Sequence, residues 1–136
     1  YKTCVEQINA HLAVVGRAIG HRVWQAAEHY MAHHPEVVAA RTALLAGEDA
    51  QGRLKRQMRL AFEDAVVHKV MPKLRGIETA GRARTHCLDP IHTLLDDQGL
   101  ALTQDFQRAC DNPYGTFVWS SADYLLANER DTSEGA

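Results

Sequence analysis

The stretch Leu54–Gly76 narrows what this chain can fold into more than any other. Leu54, Met58, Ala61/Phe62, Ala65/Val66 and Val70 recur at steps of three and four, which draws one apolar stripe along a helix. Arg53, Lys55, Arg56, Arg59, Glu63, Asp64 and Lys69 fall mostly off that stripe, where they stay in water. Pro72 is expected to stop the helix, because it has no N–H to donate and disfavours helical geometry at Met71. Lys69 in the last turn suits the negative end of the helix dipole, and Gly76 permits a turn. The stretch reads as a long helix, a hard stop and a compact basic elbow, Pro72-Lys73-Leu74-Arg75-Gly76.

The remaining chain carries the same helical grammar in shorter pieces. Thr3 and Glu6 match a capping box, and Val5, Ile8, Leu12 and Val15 share one face of a first helix ending near Gly16. A second helix starts near His21, buries Val23, Ala27, Tyr30 and Met31, and is ended or interrupted by Pro35. A weaker third helix runs from Glu36 to Leu45, and 47–52 reads as a loop. After Gly76 the residues to Arg84 are polar and of uncertain order. Leu88, Ile91, Leu94 and Leu95 mark another helix, with Asp89-Pro90 as N-cap and first position and Gly99 as its end. Thr103 is placed to cap a short helix carrying Phe106 and Cys110, and Asn112-Pro113-Tyr114-Gly115 signals a turn. Thr116–Trp119 is β-like, and Ser121 is placed to cap a last short helix through Leu126. The pattern predicts an all-α fold: a compact helical bundle of about five to seven helices with at most a very short strand near the C-terminus. Residues 1–127 are expected to form a single domain and 128–136 a disordered tail.

Bulk properties exclude more than they assign. With 136 residues, 46% apolar and 24% charged, the chain has the means to bury a real core as one soluble domain. A net charge of −2 advertises no global field for nucleic acid or membrane, although a local basic patch stays open. No apolar run approaches membrane-spanning length and no signal-peptide pattern is visible, so no membrane partner is expected. The first residue is Tyr1 rather than Met, which suggests a piece of something longer. Cys4, Cys87 and Cys110 are odd in number and far apart, which suggests free thiols and a cytoplasmic protein.

Arg22 is the most informative single residue. It sits in the first turn of the second helix, where a positive charge opposes the dipole and orphan N–H groups favour an anion. It reads either as a phosphate contact or as a surface arginine paired with a carboxylate such as Glu28. His29 and His33, with His34 beside them, form an i, i+4 pair that suits zinc, but no third ligand stands out, so a solvated cluster is expected and no metal. His86 and His92 straddle Cys87 without a zinc spacing. Arg53, Lys55, Arg56 and Arg59, or Lys69, Lys73 and Arg75, either touch DNA phosphates or form a solvated face. Glu63 and Asp64 are adjacent on a helix and so do not face each other as an acid/base pair. The chain has no Gly-rich phosphate loop, no G-x-S-x-G and no H-E-x-x-H, hence no self-contained catalytic site.

Four segments in order resemble the C-terminal part of McrB-like AAA+ ATPases, the NTP-driven motors of modification-dependent restriction systems. Ile19-Gly20-His21-Arg22-Val23 is similar to that family's Gly-Tyr-Arg-Val helix start. Ala61–Asp64 with Val67–Gly76 is similar to its Lys-(Ile/Val)-Leu-Pro-(Arg/Lys)-(Leu/Ile)-(His/Arg)-Gly elbow. Leu88-Asp89-Pro90-Ile91 to Leu95 is similar to its Leu-x-Pro-x-Leu helix, and Gly115–Ser120 to its closing Phe-Thr-Ser-Phe-Trp segment. The resemblance implies the helical lid that follows a P-loop core, with Arg22 as the sensor-2 arginine that meets the γ-phosphate. It implies Lys69, Lys73 and Arg75 as contacts to that core or to a neighbouring subunit. It further implies ATP or GTP with Mg2+ in the parent protein and none in this chain alone. The implied partners are the upstream AAA+ core, copies in a homo-oligomeric ring, a nuclease and DNA. His21 stands where that family carries an aromatic, and 36–52 looks like an insertion. The rival reading is a stand-alone helical protein-interaction module without catalysis, which expects Trp24, Trp119 or Tyr124 in an exposed apolar patch.

Overall fold

Two prolines decide how the longest helices of this chain are built. The computed structural model describes residues 1–119 and 123–134, with side chains in the latter stretch from 124 to 129. The elements are α1 (Lys2–Val14), α2 (His21–His33), α3 (Pro35–Leu45), α4 (Gln51–Ala65), α5 (Met71–Leu74), α6 (Gly81–Ala83), α7 (Asp89–Asp97), α8 (Thr103–Cys110) and α9 (Asp123–Glu134). A π turn, Val66–Val70, joins α4 to α5, and a second, Arg84–Leu88, joins α6 to α7. Each join makes one continuous rod, so the described residues form seven separate helices and no sheet.

Pro72 therefore does not stop the helix, contrary to the sequence expectation. It lies two residues past the first π turn, as Pro90 lies two past the second. In an α-helix a proline ring collides with the carbonyl four residues back and leaves it without a donor. The wider π turn moves that carbonyl away: Met71 N–H pairs with Val66 O and Asp89 N–H with Arg84 O. His68 helps, donating from Nδ1 to the Asp64 carbonyl at 2.7 Å. The rod ends at Leu74, and Gly76 turns the chain at φ +84°, a left-handed conformation that glycine adopts without strain.

The same register changes remove other expected caps. Asp89 is not an N-cap, because the helix is already running from Gly81; its carboxylate takes Arg84 Nε–H at 2.7 Å instead. Thr3 lies inside α1, whose N-cap is Tyr1 with no side-chain bond, so the capping box is not used. Thr103 opens α8 rather than capping it, and its hydroxyl donates to Leu100 O at 3.1 Å. Pro35 begins α3, where a missing N–H is harmless, after the break at His34. The residues after Gly76 are ordered first by pairing, Glu78 and Thr116 forming an antiparallel bridge, and from Gly81 by helix. Ser121 lies outside the described residues. The last helix continues to Glu134, across most of the segment expected to be a disordered tail.

The core is one cluster drawn from every rod. Ile8 and Leu12 of α1, Phe62, Met71 and Leu74 of the central rod, Ile91 and Leu95 of α7, Phe106 of α8 and Phe117 of the closing segment are all fully buried. Burying such a side chain stabilises by about 1.5–3 kcal/mol each. The Phe106 and Phe117 rings lie 5.0 Å apart, which pins residues 115–117 to the bundle. α4 takes α2 and α3 on its flanks, while α1 packs against α7 and the second π turn. Among the described residues no helix is long and apolar enough to cross a membrane.

Candidate functional site

The beginning of α2 is built to leave donors open. Its N-cap is Gly20, extended at φ −75° and ψ 161°, which has no side chain with which to cap. Just before it, Ile19 N–H is held by Asn9 Oδ1 at 2.6 Å, which fixes the chain's entry into the helix. Arg22 in the first turn is exposed. Among the described residues it has no ion-pair partner, and the pairing with Glu28 is not formed.

The elbow lies at the same end of the molecule. Lys69 shares a small crevice with Ile19 and Val23, which flank the α2 start. Lys73 within α5 and Arg75 just after it are exposed. A fifth cation, Arg17, comes from the α1–α2 loop and donates from Nη1 to the carbonyls of Lys73, at 3.3 Å, and Arg75. It satisfies helix-end carbonyls that sequence spacing assigns to nothing, since the partners lie 56 and 58 residues away. The elbow backbone is clamped from the other side, with Gly76 N–H to Phe117 O at 3.0 Å and Phe117 N–H to Ile77 O at 2.8 Å. Arg17, Lys69, Lys73 and Arg75 make no ion pair among the described residues. Together with Arg22 they set up a local positive potential that the net charge of −2 conceals.

No acid, base or nucleophile completes a reaction centre at this end among the described residues. Cys87 lies within reach of the Arg17 charge, which favours the thiolate, yet burial dominates and pushes the thiol up to about 11. Cys110 is pushed up to about 12, again mainly by burial, and all three cysteines are free and buried. They are packing groups, protonated at neutral pH.

The other candidates separate. Glu63 is fully buried while Asp64 is half-buried and takes the Tyr30 hydroxyl at 3.3 Å, so the two carboxylates serve different neighbours. His29 and His33 stack with ring centroids 4.0 Å apart, and His33 Nδ1 donates to His29 O at 2.9 Å. His86 is exposed, whereas His92 donates to Thr103 O at 3.2 Å, so they do not converge on Cys87. Among the described residues no group of three such ligands is placed to hold a metal. Along α4, Arg53 reaches Glu36 at 3.9 Å and Arg59 donates to Gly99 O at 3.5 Å. Tyr124 is 6% exposed, and Trp24 and Trp119 pack partly buried against the core, so the apolar patch expected of these three is absent.

Sequence reasoning also misses Arg84, whose bonds join two neighbours five residues away, Asp89 and Thr79, to two remote partners, Cys110 and Asp111. Its guanidinium bonds Asp89 at 2.7 Å, Asp111 at 3.1 Å and the carbonyls of Thr79 and Cys110. This ties the second π turn to the end of α8.

Comparison with known proteins places the chain in a family. The profile of a family described as a domain of unknown function (DUF8727) matches residues 1–129. No curated protein and no solved structure matches.

Proposed function

The chain belongs to the family described as a domain of unknown function, DUF8727, and for it we propose the role of a nucleotide-sensing helical lid, of the kind that follows the P-loop core in McrB-like AAA+ NTPases. One observation carries the reading. Arg22 stands exposed at an uncapped helix start, unpaired among the described residues, at a place where its charge opposes the dipole. A cation at that position costs the helix a fraction of a kcal/mol, on the order of 0.3–1 kcal/mol, unless an anion sits against it. A terminal phosphate supplied by a separate core is such an anion, and the open N–H groups add donors to it.

In this reading ATP or GTP with Mg2+ is bound by the core, and the lid contributes the guanidinium that stabilises charge on the γ-phosphate. Arg17, Lys69, Lys73 and Arg75 form the cationic end that docks on the core or on the next subunit of a ring. The parent acts in the cytoplasm, in DNA restriction or defence, together with a nuclease.

The test begins in the coding sequence: a P-loop segment upstream of Tyr1 in the same reading frame is required. In that parent, Arg22→Ala is expected to lower nucleotide turnover by about ten- to hundredfold, with the helical melting transition unchanged. A gene without such a core, or a variant that hydrolyses at the parent rate, ends the proposal.

A further inference from the structure

At the opposite end of α2 lies an open cleft of about 530 Å3, between the end of that helix, α4 and α9. Its size falls among those of small-molecule sites. Leu60 and Leu125 give it an apolar wall, and Asp64 and Glu129 bring two carboxylates to it. Two further groups in the wall are left wanting. Gln57 is only 8% exposed, and its amide makes no hydrogen bond among the described residues. His34 Nδ1 is sealed from solvent without a partner among them. A polar atom sealed from solvent is nearly always paired in native proteins, so His34 Nδ1, with the Gln57 amide beside it in the same wall, marks a place where something else supplies bonds.

The field in the cleft selects the sign of that ligand. No lysine or arginine lines it among the described residues. The neighbouring phenols register the negative charge. Burial raises both Tyr30 and Tyr124, and Asp64 raises each of them further.

We propose that this cleft binds an aliphatic amine: an ammonium group held by Asp64 and Glu129, an alkyl stem along Leu60 and Leu125, and a second polar end paired with Gln57 and His34. Such a ligand comes either as a free short diamine or as a lysine side chain of a partner protein, and the chemistry is shared. The site is independent of the phosphate reading at the other end of α2, so either can fail alone.

The test is a titration of the full chain, isotopically labelled, at low salt and near neutral pH, followed by amide NMR. The probes are cadaverine, a capped lysine (Nα-acetyl-lysine methylamide) and pentane-1,5-diol. Saturable shifts centred on the Gln57 side-chain amide and on residues 125–129 are expected with the amines and not with the diol. Asp64→Asn and the exposed Glu129→Gln are each expected to weaken binding by about tenfold. Tighter binding of cadaverine identifies a free diamine, and tighter binding of the capped lysine a partner's side chain; both support the site. Equal shifts with the diol, no saturable shift with either amine, or undiminished affinity in both variants overturn it.

Discussion

Glu63 keeps a carboxyl group at 0% exposure, where Leu102 N–H reaches it at 2.9 Å and the Asn128 amide bonds the other oxygen. Burial raises it above the ordinary carboxylate value, and the bonds from Asn128 and Leu102 and the Arg59 charge only partly offset that. The folded chain therefore holds this proton more tightly than the unfolded chain does. Its contribution to stability is greatest below the ordinary value of 4.5 and is lost as pH rises from there through the raised folded value. Asp111 works in the other direction. Its bond from Gln107, with Arg84 behind it, pulls the carboxyl below 3.8, so its contribution is lost only as pH falls beneath that value. The two windows do not overlap. In urea titrations the parent chain is expected to lose stability relative to Glu63→Gln as pH climbs above 4.5. The amide introduced by that substitution cannot ionise, yet its carbonyl oxygen still accepts the Leu102 N–H. A difference that stays constant with pH shows that Glu63 is not held in its protonated form by the fold.

At the scale of elements, the two π turns explain both what the sequence makes legible and what it does not. Steps of three and four locate α1, α2, α3 and the long rod because those helices bury one regular face. The rod's last turn, past Pro72, escapes that reading because the proline reads as a stop. Counted from Val66, the buried positions Val70 and Leu74 stand at +4 and +8, which an α-helix also allows, but Met71 stands at +5, one residue beyond the helical step of four. That single extra residue is the π turn, and it is visible in the spacing once Pro72 is allowed to lie inside a helix. Arg17 lies beyond any local pattern because its partners come from a distant part of the chain, and so do the bonds of Arg84 to Cys110 and Asp111. The placement of Arg22 in the first turn of α2 is legible since it is set locally. If the π turn exists to pass Pro72, removing both should restore a plain helix with its buried face in register. Deleting His68 together with Pro72→Ala is therefore expected to leave a cooperative thermal transition within about 5 °C of the parent. Deleting His68 alone, with the proline still in place, is expected to lower it well beyond that. Circular dichroism melting decides, and equal damage from both deletions removes the idea.

Across the whole molecule, α2 separates two regions of opposite sign. Its 13 residues make it about 20 Å long. The five cations gather at its positive end and the acidic cleft lies at its negative end, so side-chain charge and backbone dipole point the same way. At physiological salt, charges that far apart are screened from each other, with a Debye length of about 8 Å. Each end can thus meet its own ligand. What differs between them is how firmly they are built. The cationic end rests on the clamped elbow and the core, whereas one wall of the cleft is α9. Tyr124 is its sole buried side chain between 124 and 129, with Leu125 46% and Leu126 55% exposed. Polar bonds do the rest: Asp105 accepts from Tyr124 N–H at 2.9 Å, and Asn128 reaches Glu63. Lifting α9 away returns the Glu63 carboxyl to water, which recovers part of what the lost bonds contributed. The helix is consequently expected to open locally, well below the free energy of global unfolding. Native-state hydrogen exchange should find the amides of 125–129 exchanging about a hundredfold faster than those of 61–66, a gap of roughly 2.7 kcal/mol in opening free energy. A saturating amine should narrow that gap, because it bonds both walls of the cleft at once. Should α9 prove as protected as α4 without any ligand, the cleft is a fixed part of the core and its wall does not move.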